Sequence, residues 1–331
     1  MELDKNLSRI ECHGREHRRI TKYRTGGAVL KYWLKRFVIM PGMFQWLQRK
    51  DRLPVLMYHG VYPAGPLSPA SFRRQMVWLA RRFTPLWASE IPAWQAEGAD
   101  RPCVVLTFDD GLANAVRWIV PVLNELKLKA TMYVCPGLLD ADEPRLLWNH
   151  ELRLRLSRLT PQQRSESFGM PLAQSEVEAV EALKHCPTSE ARRWLESARM
   201  LGSELMLTDD ERERFQLMDA AQVAALPENF EIGCHSWDHP ILDQLDESAL
   251  YDQIVVAKER LTSRINRPAE TFCYPNGRAS APIHRLVSQH YRVALTTQWG
   301  MVKPGDDPWQ LPRISAAGDF TQFRFNLVKP G

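Results

Sequence analysis

The stretch "VVLTFDDGLAN", residues 104–114, decides the fold of this chain. Its first five residues are strong β-formers without a charge among them, and they predict a strand that is buried on both faces. Two acids, Asp109 and Asp110, follow directly, and a glycine then leads into a helical pattern. Because adjacent carboxylates repel each other and lose hydration on burial, this arrangement requires a compensating interaction.

Six further apolar runs have the same form, a short strand that ends in polar or turn-forming residues. They are residues 53–60, 129–137, 230–239, 270–277, 291–297 and 310–315. Helical periodicity separates several of these runs, as in residues 247–265. Strands that alternate with helices predict an α/β fold with a mostly parallel sheet, either closed or open.

A long helical insertion interrupts this alternation between about residues 139 and 227. Ser175, Ser189 and Thr208 precede acidic residues in the manner of capping residues at helix starts. The interval is too long for a plain connection between two strands. It is open to two interpretations, a cap that covers the edge of the fold or a wall that contacts substrate or a partner.

The charge is unevenly distributed along the chain. The net charge is +4, but residues 1–50 carry 12 Lys and Arg against 4 Asp and Glu, whereas the remainder carries 31 against 35. We therefore expect a basic N-terminal extension, residues 1–50, and a mildly acidic α/β domain, residues 51–331. Within the extension, residues 28–47 fit either an ordinary packed helix or a basic amphipathic helix in peripheral contact with an anionic membrane.

The lack of a recognisable targeting signal and the cysteine pattern together predict a cytoplasmic protein. The first twenty residues have no secretory pattern, and three charges with Pro41 argue against a membrane span in residues 28–47. The six cysteines have no CxxC spacing and are expected to be reduced thiols. No nucleic-acid-binding motif is present, which argues against a nucleic-acid partner.

Polar residues follow five of the predicted strands, at the point where each strand ends. They are His59; Asp109 and Asp110; His235 and His239; Tyr274, Pro275 and Asn276; and Arg313. In parallel α/β folds, ligands bind at the carboxyl ends of the strands. If these strands share one sheet, the polar residues converge on one face and form a site.

His235 and His239 have the spacing of a metal-binding pair. On a helical turn, two residues four apart lie on the same side. Two histidines with one carboxylate form a common catalytic metal set that leaves a position open for water. Taken alone, the histidine pair fits a structural role equally well, and Asp109 with Asp110 fits helix capping. Their combination at strand ends favours a metal site.

Three motifs together resemble the signature of a known family. "TFDDG" at 107–111, "HSWDHP" at 235–240 and "FCYPNG" at 272–277 resemble the polysaccharide deacetylases, carbohydrate esterase family 4. The resemblance runs from about residue 53 to 315, interrupted by the helical insertion. It implies a distorted (β/α)7-type barrel in which Asp109 is the general base. Asp110, His235 and His239 would then bind a divalent ion, with zinc as the expected metal, and the ion would offset the repulsion between the two carboxylates.

The resemblance also suggests which groups assist the reaction. The backbone N–H of Tyr274, in the turn with Pro275 and Asn276, is expected to bind the oxyanion, although Pro-Asn-Gly forms turns without any function as well. Arg313 resembles a recurrent strand end in one branch of the family. Its guanidinium would keep Asp109 ionised, and the alternative is a surface salt bridge.

The general acid is expected to be a histidine, and this chain departs from the usual family pattern. Family members usually supply it near the C-terminal end of the domain, but here His284 lies on a predicted helix and His290 at the end of one. His59 instead ends the first strand, which resembles a branch of the family whose first strand ends in "YH". We therefore assign the acid to His59, with a hydrogen bond to a turn as the alternative.

Trp299 and Trp309 fit either a sugar-facing wall or the core. The predicted function is a metal-dependent hydrolase that removes N-acetyl groups from an amino sugar in a polysaccharide, oligosaccharide or glycan precursor. An O-acetyl esterase or another amide hydrolase on the same scaffold is one alternative. A catalytically silent glycan-binding protein is another.

Overall fold

The computed structural model describes residues 50–202 and 204–328 of the 331-residue chain. The predictions for residues 1–49, including the segment 28–47, lie outside these residues. The described residues form two compact units. One consists of residues 146–207, and the other of residues 50–145 together with 208–328.

Eight parallel strands are present in the second unit. They are β1 Val55–Tyr58, β2 Thr84–Leu86, β3 Cys103–Phe108, β4 Ala130–Val134, β5 Phe230–Cys234, β6 Thr271–Cys273, β7 Val293–Trp299 and β8 Leu311–Ser315. Seven of them close into a barrel in the order β1, β3, β4, β5, β6, β7, β8, because β8 pairs with β1 and β1 pairs with β3. This closure confirms the predicted distorted (β/α)7-type barrel.

The short strand β2 was not predicted from the sequence. It pairs only with the first part of β3, where Thr84 lies opposite Cys103 and Leu86 opposite Val105. Three residues with a central proline, Pro85, are too few to produce a periodic pattern. Each of the seven predicted apolar runs, in contrast, overlaps with one strand of the barrel, and β7 extends two residues beyond its predicted run.

Side chains along the strands alternate between the inside of the barrel and the surrounding helices. On β3, Cys103 and Val105 belong to the apolar cluster inside the barrel, whereas Val104 belongs to the larger cluster under the helices. The inward row continues through Thr107 to Asp109, because side chains repeat every two residues. Asp109 therefore ends the inner row at the carboxyl end of the barrel.

The helices of the described residues follow the strands in the expected alternation, apart from one helical unit. They are α1 Pro69–Ala80, α2 Ile91–Glu97, α3 Asn114–Trp118, α4 Val120–Glu125, α5 Trp148–Ser157, α6 Pro161–Phe168, α7 Glu176–Leu183, α8 Thr188–Leu201, α9 Asp209–Phe215, α10 Ala220–Ala224, α11 Glu247–Tyr251, α12 Ala257–Ile265, α13 Ala281–His290 and α14 Phe320–Asn326. A π-helical turn, Asp252–Val256, joins α11 to α12.

Two of the three predicted helix starts are confirmed. Ser175 and Thr208 accept hydrogen bonds from backbone N–H groups in capping boxes at the starts of α7 and α9. Ser189 does not cap a helix, because α8 begins one residue earlier, at Thr188, directly after Pro187. A proline just ahead of the helix therefore takes the place of the expected serine cap.

Residues 146–207 form a helical unit with a core of its own. Helices α5 to α8 pack around buried apolar side chains that include Leu152, Phe168 and Trp194, and the last two rings lie 4.9 Å apart. Glu151 on α5 accepts hydrogen bonds from Arg199 on α8 at 2.8 and 2.6 Å. The remaining parts of the predicted insertion, residues 139–145 and 208–227, belong to the barrel unit.

Within the described part of the chain, no helix has both the length and the apolar composition needed to cross a membrane. The cysteines of the same residues, Cys103, Cys135, Cys186, Cys234 and Cys273, are buried free thiols. This agrees with the expectation of reduced cysteines that pack as small apolar side chains.

Candidate functional site

Asp109 and Asp110 lie directly after β3, and both side chains are almost fully buried, with exposed fractions of 3% and 7%. The N–H of Asp109 donates to the carbonyl of Tyr58 at 2.9 Å, which holds the end of β3 against β1. Consecutive strand residues point to opposite faces, but Asp110 adopts a φ of 71°, in the left-handed region. The chain turns at this residue, so both carboxylates remain at the carboxyl end of the barrel.

Arg313 on β8 compensates the charge of Asp109. Its Nη1 and Nη2 donate to Oδ1 and Oδ2 of Asp109, each at 2.8 Å, in a bidentate fork. Its Nε donates to the carbonyl of Thr296 at 2.8 Å, and Nη1 also donates to Oγ1 of Thr107 at 3.1 Å. Arg313 is only 1% exposed, which excludes the alternative of a surface salt bridge.

This pairing sets the protonation state of Asp109. Burial alone would raise the pKa of the carboxyl group, but the charge and hydrogen bonds of Arg313 hold that pKa below its usual value. Asp109 is therefore ionised at neutral pH. Each of its oxygens keeps a second lone pair, so the carboxylate is able to accept a proton.

Asp110 lies between the two histidines that follow β5. Its Oδ1 is 3.5 Å from Nε2 of His235 and 3.7 Å from Nε2 of His239. Burial alone would raise the pKa of Asp110, but its contact with His235 and the neighbouring histidine charges hold that pKa well below its usual value. All three side chains are more than 90% buried.

The donor set of Asp110, His235 and His239 fits a divalent ion. In a tetrahedral site with metal–ligand bonds of about 2.0–2.1 Å, two ligand atoms stand about 3.4 Å apart, close to the two separations observed. Nδ1 of His235 lies 2.6 Å from the carbonyl of Cys273. Because a carbonyl only accepts, Nδ1 must donate, and Nε2 of the neutral ring is therefore the nitrogen whose lone pair could bind a metal.

A second group of possible ligands overlaps with this one. Asp109, His235 and Cys273 also bring their donor atoms within 4.8 Å of one another. Burial raises the pKa of the Cys273 thiol, whereas a metal needs the thiolate. The carboxylate of Asp109 is in addition already held by Arg313. The set with Asp110 is therefore the better metal site.

The turn that carries His239 is held by a side chain that the sequence analysis missed. Ser236 and His239 both have a positive φ, of 65° and 62°. Oε1 of Gln253 accepts from the N–H groups of Trp237 and Asp238 at 2.9 and 3.3 Å, and its Nε2 donates to Oδ1 of Asp238 at 2.7 Å. Gln253 lies on the π-helical turn and is 6% exposed, so it fixes the turn from Ser236 to His239 from within the fold.

His59 follows β1 and lies beside Asp109. In the register of the parallel pair, Tyr58 is opposite Phe108, so the next residues on the two strands are His59 and Asp109. His59 is exposed, unlike the other predicted residues at this end of the barrel. It is close enough for its charge to lower the pKa values of Asp109 and Asp110. This location is accessible to a substrate that enters from solvent.

The expected role of the Tyr274 backbone needs correction. Its N–H donates to the carbonyl of Leu295 at 3.1 Å, as part of the pairing between β6 and β7. A donor that is already engaged must break this bond before it can bind an oxyanion, so the N–H of Tyr274 does not form a ready oxyanion hole. Pro275 has no N–H, and Asn276 adopts a φ of 55° in the short 3-10 turn that follows.

The two tryptophans have different surroundings, and the late histidine His284 lies away from the strand ends. The indole N–H of Trp309 donates to the carbonyl of Tyr291 at 2.8 Å, and its ring packs against the core. Trp299 ends β7 and is 43% exposed, so it is the better candidate for a sugar-facing wall. Nε2 of His284 pairs with Asp307 at 2.8 Å, away from the strand ends.

The fold and the site define a parallel α/β-barrel protein with a carboxylate–histidine centre at the carboxyl end of the strands. A family model described as polysaccharide deacetylase matches residues 96–164 and 213–293. The chain is similar to this family over these two segments, which together make up less than half of its 331 residues. The matched residues include Asp109, Asp110 and the turn from His235 to His239, but neither His59 nor Arg313.

One curated relative is similar to this chain over a limited segment. YxkH of Bacillus subtilis strain 168, assigned by name to the polysaccharide deacetylases, is 31% identical over 93 residues. These residues are 26% of this chain and 33% of YxkH, so the match spans a third of the length of that relative.

Two solved structures have the same fold at low sequence identity. One is the deacetylase PplD of Streptococcus pyogenes in complex with acetate, with 16% identity, a TM-score of 0.58, and coverage of 85% of this chain and 100% of that chain. The other is a de-N-acetylase of Aggregatibacter actinomycetemcomitans, with 15% identity, a TM-score of 0.53, and coverage of 83% and 100%.

The buried pair predicts a large effect of Arg313→Met on stability. This change leaves the carboxylate of Asp109 buried without a partner, and we expect it to lower the free energy of unfolding by about 3–5 kcal/mol. Arg292→Met, which removes a largely exposed pair with Glu270, is the control and should cost less than about 1 kcal/mol. Denaturant unfolding at pH 7 measures both.

The same experiment has a defined pH dependence. Because the folded state lowers the pKa of Asp109, its contribution is present above the usual aspartate pKa and is lost as the pH falls through the lowered value. In Arg313→Met, burial acts without the arginine and raises this pKa, so the carboxyl of the variant takes up a proton first as the pH falls. The difference between wild type and Arg313→Met should therefore shrink as the pH is lowered toward 4, and further below it as wild type loses its own contribution. Equal costs for the two variants at pH 7 would contradict the assigned pairing.

Proposed function

We propose that this protein is a divalent-metal-dependent hydrolase that removes N-acetyl groups from an amino sugar in a polysaccharide, oligosaccharide or glycan precursor. One observation carries the proposal. A buried donor set of Asp110, His235 and His239 lies beside a second buried carboxylate, Asp109, that an arginine keeps ionised. The acetate in the PplD complex and the name of the Aggregatibacter enzyme support the same reaction class.

The two carboxylates have different roles because their surroundings differ. Asp110 and the two histidines would hold the metal, most suitably zinc, given one oxygen and two imidazole ligands. A divalent ion in that position supplies Lewis acidity, which favours ionisation of water and polarises an acetyl carbonyl. Asp109 keeps its charge through Arg313 and stays available as a base.

Proton transfers complete the reaction. The oxygen of a water molecule forms a bond to the acetyl carbon, and Asp109 accepts the proton that the water loses. The bond between the acetyl carbon and the sugar nitrogen then breaks. His59, exposed at the end of β1, donates a proton to that nitrogen, so the products are acetate and a sugar amine. The amine would otherwise leave as an unstable anion.

The alternative functions differ from the proposed one in whether they need a general acid and whether they need catalysis at all. An O-acetyl esterase has a better leaving group and depends less on proton donation. A silent glycan-binding protein has no use for a base that is buried and held ionised. The buried Arg313, which orients Asp109 and keeps it ionised, therefore favours an enzyme.

Asp109→Asn tests the base. The amide cannot accept the proton, so acetate release from N-acetylglucosamine oligomers should fall by about 10²–10⁴-fold, while metal content and far-UV circular dichroism stay as in wild type. Asp100→Asn, at an exposed loop position, is the control and should retain full activity. An Asp109→Asn protein that works at the wild-type rate would remove the base assignment.

His59→Ala tests the acid and separates amide from ester hydrolysis. We expect a loss of about 10²–10⁴-fold on N-acetyl substrates and a smaller loss on O-acetyl esters, which need less protonation of the leaving group. His284→Ala, the control, removes the late histidine that pairs with Asp307 and should have little effect. The reverse result for the two histidines would move the acid to His284.

A further inference from the structure

Helix α1 and the turn that follows it concentrate positive charge on one part of the barrel unit. Residues 52–89 contain five arginines and no Asp or Glu, whereas residues 51–331 as a whole carry 31 Lys and Arg against 35 Asp and Glu. A basic segment in a mildly acidic domain is typical of a surface that binds an anionic partner. Four of the five arginines lie on α1 or directly after it, in two adjacent pairs: Arg73, Arg74, Arg81 and Arg82.

Two of these arginines lie in one row along α1, with a tryptophan between them. Arg74, Trp78 and Arg82 are spaced four residues apart, so they follow one another on one side of the helix. The guanidinium carbon of Arg82 lies 4.8 Å from the centre of the Trp78 ring. The ring of Phe320, on α14, packs against the Trp78 ring at 6.3 Å, and the guanidinium carbon of Arg74 lies 4.1 Å from the Phe320 ring. The two helices therefore stack both guanidinium groups on aromatic rings.

Arg324, also on α14, completes the group. Its guanidinium carbon lies 5.7 Å from the ring of Trp78 and 5.7 Å from the ring of Phe320, so it shares one ring with each of the other two arginines. Burial and the neighbouring charges of Arg82 and Arg74 lower the pKa of Arg324. The arginine face, as we call it, consists of the three arginines and the two rings beneath them: Arg74, Arg82, Arg324, Trp78 and Phe320.

Nearby carboxylates do not neutralise this charge. Among the described residues, neither Arg74 nor Arg82 has a carboxylate oxygen within 4.0 Å. The carboxylate of Asp319 caps the N-terminus of α14, and the carboxylate of Glu125 accepts from Arg73 at 2.8 Å. Stacking uses the flat side of a guanidinium group, and the N–H donors at its edge stay suited to an oxyanion such as a phosphate.

The arginine face reaches the amino end of the barrel. Arg82 lies just ahead of β2 and residue 50 lies ahead of β1, and both strands run parallel to β3. Both positions are therefore at the end opposite to Asp109. The basic extension, residues 1–50 with 12 Lys and Arg against 4 Asp and Glu, joins the barrel at that same end. Reversible binding to an anionic membrane typically combines two such weak signals.

We propose that the arginine face is a docking surface for a membrane that carries anionic lipids, with Arg74, Arg82 and Arg324 bound to lipid phosphate groups. Charge complementarity supports this partner, and a row of three cations on an outer pair of helices suits a surface with many anionic groups better than a single small anion. The absence of a nucleic-acid-binding motif argues against a nucleic acid. This inference goes beyond the proposed function and leaves the carboxyl end of the barrel open to substrate.

Sedimentation of the full chain with lipid vesicles tests the proposal. Vesicles of phosphatidylcholine with about 30% phosphatidylserine are compared with pure phosphatidylcholine, in about 0.1 M NaCl. Wild type should bind only the anionic vesicles. Arg74→Gln/Arg82→Gln should bind them about 30-fold more weakly, or about fivefold for each arginine. Arg260→Gln/Arg285→Gln removes the same charge from exposed positions on α12 and α13 and should change binding by less than about twofold.

A second variant separates charge from folding. Arg74→Lys/Arg82→Lys keeps both charges, so it should retain most of the vesicle binding, and raising the salt to about 0.5 M should release it together with wild type. Thermal unfolding should give similar melting temperatures for wild type and both double variants of the arginine face. Loss of binding by the lysine variant at an unchanged melting temperature would contradict attraction between charges as the cause.

The remaining outcomes are equally defined. No binding of wild type to anionic vesicles, or equal binding by wild type and Arg74→Gln/Arg82→Gln, would overturn the proposal. Binding of wild type to heparin but not to vesicles would overturn the assignment to a membrane. Acetate release from soluble N-acetylglucosamine oligomers should be the same in wild type and Arg74→Gln/Arg82→Gln, and a loss in the variant would show that these arginines support the barrel instead. A wild type that binds vesicles but releases no acetate would contradict only the proposed function.

Discussion

The buried ion pair between Arg313 and Asp109 is the interaction on which the site depends. Two adjacent, buried carboxylates at the carboxyl end of an apolar barrel cannot both stay ionised without partners. Arg313 stabilises the charge of Asp109 through two hydrogen bonds of 2.8 Å. The histidines, together with the metal they would hold, stabilise the charge of Asp110. The different partners make two chemically similar residues unequal, and the proposed reaction uses this inequality, with Asp110 as the ligand and Asp109 as the base.

The barrel brings these partners together from distant parts of the chain. Asp109 ends the inner row of β3, Arg313 lies on the inner side of β8, and the histidines follow β5. Regular strand geometry alone would not aim every side chain at one point. Asp110, Ser236 and His239 adopt positive φ values, each at a cost of about 1–3 kcal/mol that the surrounding contacts must offset. The hydrogen bonds of Gln253 are part of that offset.

Local patterns were enough to predict the strands of the barrel, because each is a short apolar run with a polar residue after it. Closure of the sheet came from the family resemblance and not from periodicity. The burial of Arg313 had no local signal, since "LPRIS" also fits a surface strand. The pairing of the Tyr274 N–H and the support from Gln253 arise between separate segments of the sequence, so no motif could reveal them.

Metal content of the purified protein tests the central claim most directly, and it requires no knowledge of the substrate. Wild type, His239→Ala and the control His185→Ala, at an exposed position, are compared by elemental mass spectrometry after exposure to zinc. The account predicts about one divalent ion per chain in wild type and in the control, and its loss in His239→Ala. No bound ion in any of the three proteins, or equal amounts in all of them, would contradict a catalytic centre built on Asp110, His235 and His239.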